Sequence, residues 1–86
     1  MALKKTLTIA GSDTSGGAGI QADLKAFQEH GTYGMTALTV IVTMDPDNGW
    51  SHGLYALPTD VLQAQIKTAL STGVDAIKTG MLASED

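Results

Sequence analysis

Gly11-Ser12-Asp13-Thr14-Ser15-Gly16-Gly17-Ala18-Gly19 joins an apolar run, Leu7-Thr8-Ile9-Ala10, to a stretch with helical spacing. Four glycines in nine residues let the backbone take positive φ and let a bound group come close. A strand, a glycine-rich turn and a helix start together make a ligand-binding corner common in α/β proteins. The corner announces a small molecule without naming one.

On the amino-terminal side, Lys4 to Ala10 reads as a strand ended by Gly11. On the other side a helix opens at Gly17 or Ala18, with Ser15 as its N-cap and Gly31 as the residue that stops it. Ile20, Leu24 and Phe27 fall on one face of that helix. His30 sits at its carboxyl end, where the helix dipole favours a cation. Met35 to Thr43 is β-branched and almost continuously apolar, as expected of a strand covered on both faces. Strand, helix and strand make a βαβ unit with a right-handed crossover.

Met44-Asp45-Pro46-Asp47-Asn48-Gly49 reads as a loop, and His52 to Leu57 as a short edge strand. Pro58 and Thr59 open a second helix, whose stripe is Leu62, Ile66, Ala69 and Leu70 and whose end is Gly73. Val74 to Lys78 is a third core strand, followed by a turn at Thr79-Gly80-Met81. Ser84, Glu85 and Asp86 carry a helix-start signature with no helix body behind it. The expectation is a portion of a larger domain, ending as its next element begins.

Composition narrows the partners. A net charge of −4 with scattered basic residues argues against nucleic acid, which needs a basic patch to displace counterions. The 86 residues hold no cysteine, which fits a reducing cytoplasm, and no apolar run approaches a membrane span or a secretory signal. Asp45, Asp47 and Asn48 lack the remainder of a calcium loop, so no metal site is expected. His52 beside Trp50 reads as flap surface or packing rather than a ligand, and Lys78, at a strand end from which it could reach a phosphate, reads first as a solvated lysine.

Three ligands compete for the corner. Gly11 and Gly16 have the spacing of a phosphate loop, but Gly17 and Ala18 stand where its Lys and Ser/Thr belong. Gly17-Ala18-Gly19-Ile20-Gln21-Ala22 matches the dinucleotide pattern, with Asp45 after the second strand as the ribose-binding acid. That fingerprint should follow its strand directly, and here Gly11 to Gly16 intervene. The third ligand is a small polar ring compound facing Ser12, Asp13, Thr14 and backbone amides.

Leu7 to Asp13, then Gly16 to Lys25, then Tyr33-Gly34-Met35, and later Lys78-Thr79-Gly80-Met81-Leu82 resemble the hydroxymethylpyrimidine and pyridoxine kinases, in order and over essentially the whole chain. The resemblance implies a ribokinase-like α/β fold, a mostly parallel sheet flanked by helices with a flap over the substrate. It implies a phosphotransferase that uses ATP and Mg²⁺ to phosphorylate a hydroxymethyl group. Residues 1–86 would be the amino-terminal, acceptor-binding part of one such domain. The ATP site, the Mg²⁺ site and the catalytic base would lie later, leaving no catalytic residue here and a piece inactive alone.

The resemblance further implies substrate-binding roles for Gly11, Asp13, Ala18, Asp23, Val42 and Met44. Asp23 has a competing reading as a solvated first-turn acid. Pyrimidine kinases of the family usually carry Gln where this chain has Met44. A thioether packs on a ring but donates no hydrogen bond, which suits pyridoxine or pyridoxal better than an aminopyrimidine. Met44 as a plain gap-filler is the bland alternative. Phosphorylation of pyridoxine or pyridoxal is thus the first expectation, hydroxymethylpyrimidine the second and a dinucleotide module the most distant. A cytoplasmic homodimer is implied for the whole protein.

Overall fold

The computed structural model describes residues 4–80. Its elements run β1 (Lys5–Asp13), α1 (Gly19–Glu29), β2 (Tyr33–Asp45), β3 (Ser51–Ala56), α2 (Thr59–Ser71) and β4 (Ala76–Thr79). They build one sheet in the order β3-β2-β1-β4. β1 pairs in parallel with β2 and with β4, and β3 runs antiparallel on β2.

Alternation along β1 explains the layering. Leu7 and Ile9 join Met35, Ala37, Leu62, Ile66, Ala69 and Val74 in the core under α2. Thr8, between them, points to the other face and meets Asp23 of α1. The two helices therefore cover opposite faces. β2 lies on one side of β1 and β4 on the other, so the crossovers run in opposite directions along the sheet. Helices on opposite faces then give both crossovers the same hand, as the chirality rule requires.

Gly34 shows how closely α1 sits. A Cβ there would lie 2.7 Å from Leu24 Cδ2 and 2.8 Å from Phe27 Cδ2. On the other face Gln65 of α2 bonds both backbone groups of Leu38, accepting its N–H at 2.8 Å and donating to its carbonyl at 3.1 Å.

Several boundaries differ from the expectation, each for a tertiary reason. Gly11 does not end the first strand. A register shift between Ala10 and Ser12 bends β1, and pairing resumes at Ser12–Ile41 and Asp13–Val42. Ser15 is not the N-cap, because α1 starts only at Gly19, and its hydroxyl donates to Asp13 at 2.7 Å instead. Ala18 takes the cap position with extended backbone and no side-chain bond.

The second strand continues through Met44 and Asp45, which pair with His52 and Ser51. The presumed loop is therefore only its last part, and β3 begins and ends one residue earlier than expected. Leu70 leaves the expected stripe and is 49% exposed. Val74 packs against the core but precedes β4, whose four positions are all exposed at the sheet edge. Gly31 and Gly73 end their helices as expected, at φ +69° and +87°. Met81 and the helix start at Ser84 lie outside the described residues.

Candidate active-site cleft

The connections leave β1 toward β2 on one side, while β4 flanks it on the other. In open α/β sheets a crevice forms at such a point, beyond the carboxyl ends of the strands. A cleft of about 320 Å³ lies there, within the ~300–1,000 Å³ usual for small-molecule sites.

Its floor is the end of β1, Ala10 to Asp13, and its near wall is Ala18, Gly19 and Asp23. Val42 and Met44 of β2 with His52 and Leu54 of β3 form a second wall, and Lys78 and Gly80 at the end of β4 a third. Gly80 lets β4 close on β1: its N–H donates to the Ile9 carbonyl at 2.8 Å, and a Cβ would lie 2.9 Å from that of Ala10.

The corner is held from both sides. Gln21 accepts the Asp13 N–H at 3.1 Å and donates to the Ser12 hydroxyl at 3.0 Å, pinning the loop to α1. Thr14 donates its N–H and its hydroxyl to the Val42 carbonyl, pinning the loop to β2. Asp13 then organises the turn itself. Its carboxylate accepts the Ser15 N–H at 2.9 Å and the Ser15 hydroxyl at 2.7 Å. These bonds, helped by the Gly17 and Ala18 amides, hold its pKa below the ordinary carboxylate value against the opposing effect of desolvation.

That arrangement disposes of the two phosphate readings. The amides a pyrophosphate would need already face the carboxylate of Asp13. Asp45, the supposed ribose acid, instead caps its own turn by accepting the Asp47 N–H at 2.9 Å.

Asp23 is no solvated first-turn acid. It lies in the second turn of α1, with a side chain only 13% exposed. Its Oδ2 accepts the hydroxyl of fully buried Thr8 at 2.7 Å, and its Oδ1 accepts Lys78 Nζ at 2.5 Å. Burial raises the Asp23 pKa, but the Lys78 bond, the Thr8 bond and the Lys78 charge outweigh it and leave the value lowered. Lys78 in turn is a paired cation at the cleft.

Gly11, Asp13, Ala18, Asp23, Val42 and Met44 all come together around this one cleft. His52, Leu54 and Lys78 join them without having been singled out as ligand-facing. Parallel pairing of Thr8 with Lys78 puts the lysine beside Asp23, 55 residues away in sequence. Only the sheet order could have revealed that neighbour.

The family model described as phosphomethylpyrimidine kinase matches residues 13–86. The chain belongs to that family. Among its kinase relatives, the pyridoxine kinase of Bacillus subtilis (strain 168) is 62% identical over 87 residues, covering 100% of this chain and 32% of the relative. The hydroxymethylpyrimidine/phosphomethylpyrimidine kinase of the same organism is 46% identical, over 100% of this chain and 31% of its own. The solved pyridoxal kinase of Staphylococcus aureus in complex with AMP-PCP and pyridoxal superposes with a TM-score of 0.94 at 69% identity, covering 99% of this chain and 31% of that one. The architecture is thus the expected ribokinase-like α/β fold, and the chain spans about a third of the length of these kinases.

Among the described residues no group of three His, Cys, Asp or Glu side chains converges, and the Ser15, Gly17 and Ala18 amides are turned to the Asp13 carboxylate. No helix among the described residues is long and apolar enough to cross a membrane.

Proposed function

We propose that this chain is the acceptor-binding part of a kinase that transfers the γ-phosphoryl of ATP to the hydroxymethyl group of pyridoxine or pyridoxal. The observation that carries this reading is the β2 wall of the cleft, where Met44 stands beside Val42. An apolar, polarizable side chain there packs against a ring and asks no hydrogen bond of it. The relatives support it, since 62% identity to a pyridoxine kinase exceeds 46% to a pyrimidine kinase.

In this account the residues present bind and orient. Val42, Met44 and Leu54 shield the ring from water, Gly11 and Ala18 let the backbone come close, and Asp13 keeps the corner rigid. Asp23 with Lys78 gives the cleft its polar side. Phosphoryl transfer rests on positioning and on neutralising charge. ATP and Mg²⁺ supply the donor and that neutralisation, and their ligands belong to other parts of the whole protein. The proposal includes a cytoplasmic homodimer acting on a small heterocyclic alcohol.

A coupled assay of ATP consumption tests the reading in a protein of the relatives' full length containing these residues. Pyridoxine or pyridoxal should be preferred over hydroxymethylpyrimidine by about tenfold or more in kcat/KM. The reverse preference would assign the pyrimidine reaction, and no substrate-dependent consumption would end the kinase reading. The 86-residue chain alone should show none.

A further inference from the structure

Lys78 projects from the carboxyl end of β4 into the same cleft, and its side chain is 56% exposed. One of its hydrogens goes to Asp23 Oδ1 at 2.5 Å, and it has no other bonded partner among the described residues. An ammonium carries three donors, so two remain directed away from the carboxylate. Asp23 itself is committed on both oxygens, to Thr8 and to Lys78. The opposite wall is mainly apolar, Val42, Met44 and Leu54, with the His52 imidazole as its one polar side chain. The cleft therefore has a polar side and a mainly apolar side, and the unspent donors on the polar side are cationic.

A cation placed in this way favours an oxyanion over an amine. Charge-assisted bonds are shorter and roughly twice as strong as neutral ones. An amino group on the ring would instead bring its donors toward Lys78, donor facing donor.

Resting on the kinase reading above, we infer that Lys78, braced by Asp23 and Thr8, binds the acidic ring hydroxyl of a 3-hydroxypyridine substrate. The lysine thereby becomes a specificity-determining residue that complements Met44. Met44 removes the hydrogen-bonding partner an aminopyrimidine needs, and Lys78 provides the partner that a hydroxypyridine needs. The brace has its own purpose. Thr8 and Lys78 are register partners on β1 and β4, so the carboxylate between them fixes where the ammonium stands before the ring arrives.

The test uses the full-length protein and two substrates, pyridoxine and its analogue with hydrogen in place of the ring hydroxyl. In the wild type the analogue should show a KM about tenfold higher, the loss expected for one charge-assisted bond. Lys78→Met should raise the KM for pyridoxine by a similar factor, leave that for the analogue within twofold, and leave the KM for ATP unchanged. Lys78→Arg, which keeps the charge, should recover most of the difference. Equal KM values for the two substrates in the wild type would overturn the inference even if Lys78→Met failed to fold. So would equal losses on both substrates in Lys78→Met. Failure of the wild type to phosphorylate pyridoxine is a separate result, which would remove the kinase reading itself.

Discussion

A Cβ placed on Gly19 would lie 2.3 Å from the carbonyl oxygen of Gly11. The two glycines mark the points where the end of β1 and the start of α1 touch, through a bridge between Ser12 and Gly19. Gly19 also holds φ +65°, which side chains rarely adopt. Two independent restrictions thus fall on one residue. Gly19→Ala should lower unfolding free energy by at least about 3 kcal/mol, combining backbone strain with an overpacked contact that has only backbone to push against. Urea unfolding of the variant beside Gly16→Ala, where φ is +84° but nothing lies within 4 Å, separates the two effects. Gly16→Ala should cost distinctly less.

The Asp23 carboxyl, lowered from 3.8, makes stability depend on acid. A group with a depressed folded pKa contributes above its unfolded value and loses the contribution as pH falls through the folded one. The wild type should therefore exceed Asp23→Asn in stability near neutral pH. The gap should close as pH falls below 3.8 toward the lower folded value. Thermal melts of both proteins across that window check the sign. A gap that widened in acid would refute the pairing with Lys78.

Gln65 satisfies two backbone groups of Leu38 at once. Gln65→Leu keeps the bulk while leaving a half-buried N–H and C=O without their partner. It should cost about 1–3 kcal/mol in a urea titration. Gln63→Leu, an exposed change on the same helix, should stay within about 0.5 kcal/mol.

Met44→Gln restores a hydrogen-bonding amide to the cleft wall. In the full-length protein it should move the kcat/KM ratio toward hydroxymethylpyrimidine by about tenfold or more. An unchanged ratio would make Met44 packing alone.

Local chemistry made much of this chain legible. Helix-stopping Gly31 and Gly73, the apolar run of β2 and the glycine-rich corner are all short-range signals, and each stands where the residues put it. The six residues tied to the cleft by resemblance also surround one cavity. What escaped depends on partners distant in sequence. β1 passes Gly11 because β2 offers Ile41 and Val42 to pair with. Ser15 misses its expected cap because the turn organised by Asp13 holds it four residues before the helix starts at Gly19. Lys78 looked solvated because nothing near it in sequence shows that α1 brings a carboxylate over β4.

The cleft at the carboxyl end of β1 is the centre of the account, and a crystal structure of the full-length protein with pyridoxal measures it most directly. The ring should lie against Met44 and Val42, with its ring hydroxyl toward Lys78 and the Gly11–Asp13 backbone beneath it. Density for pyridoxal seated away from these residues would contradict the account.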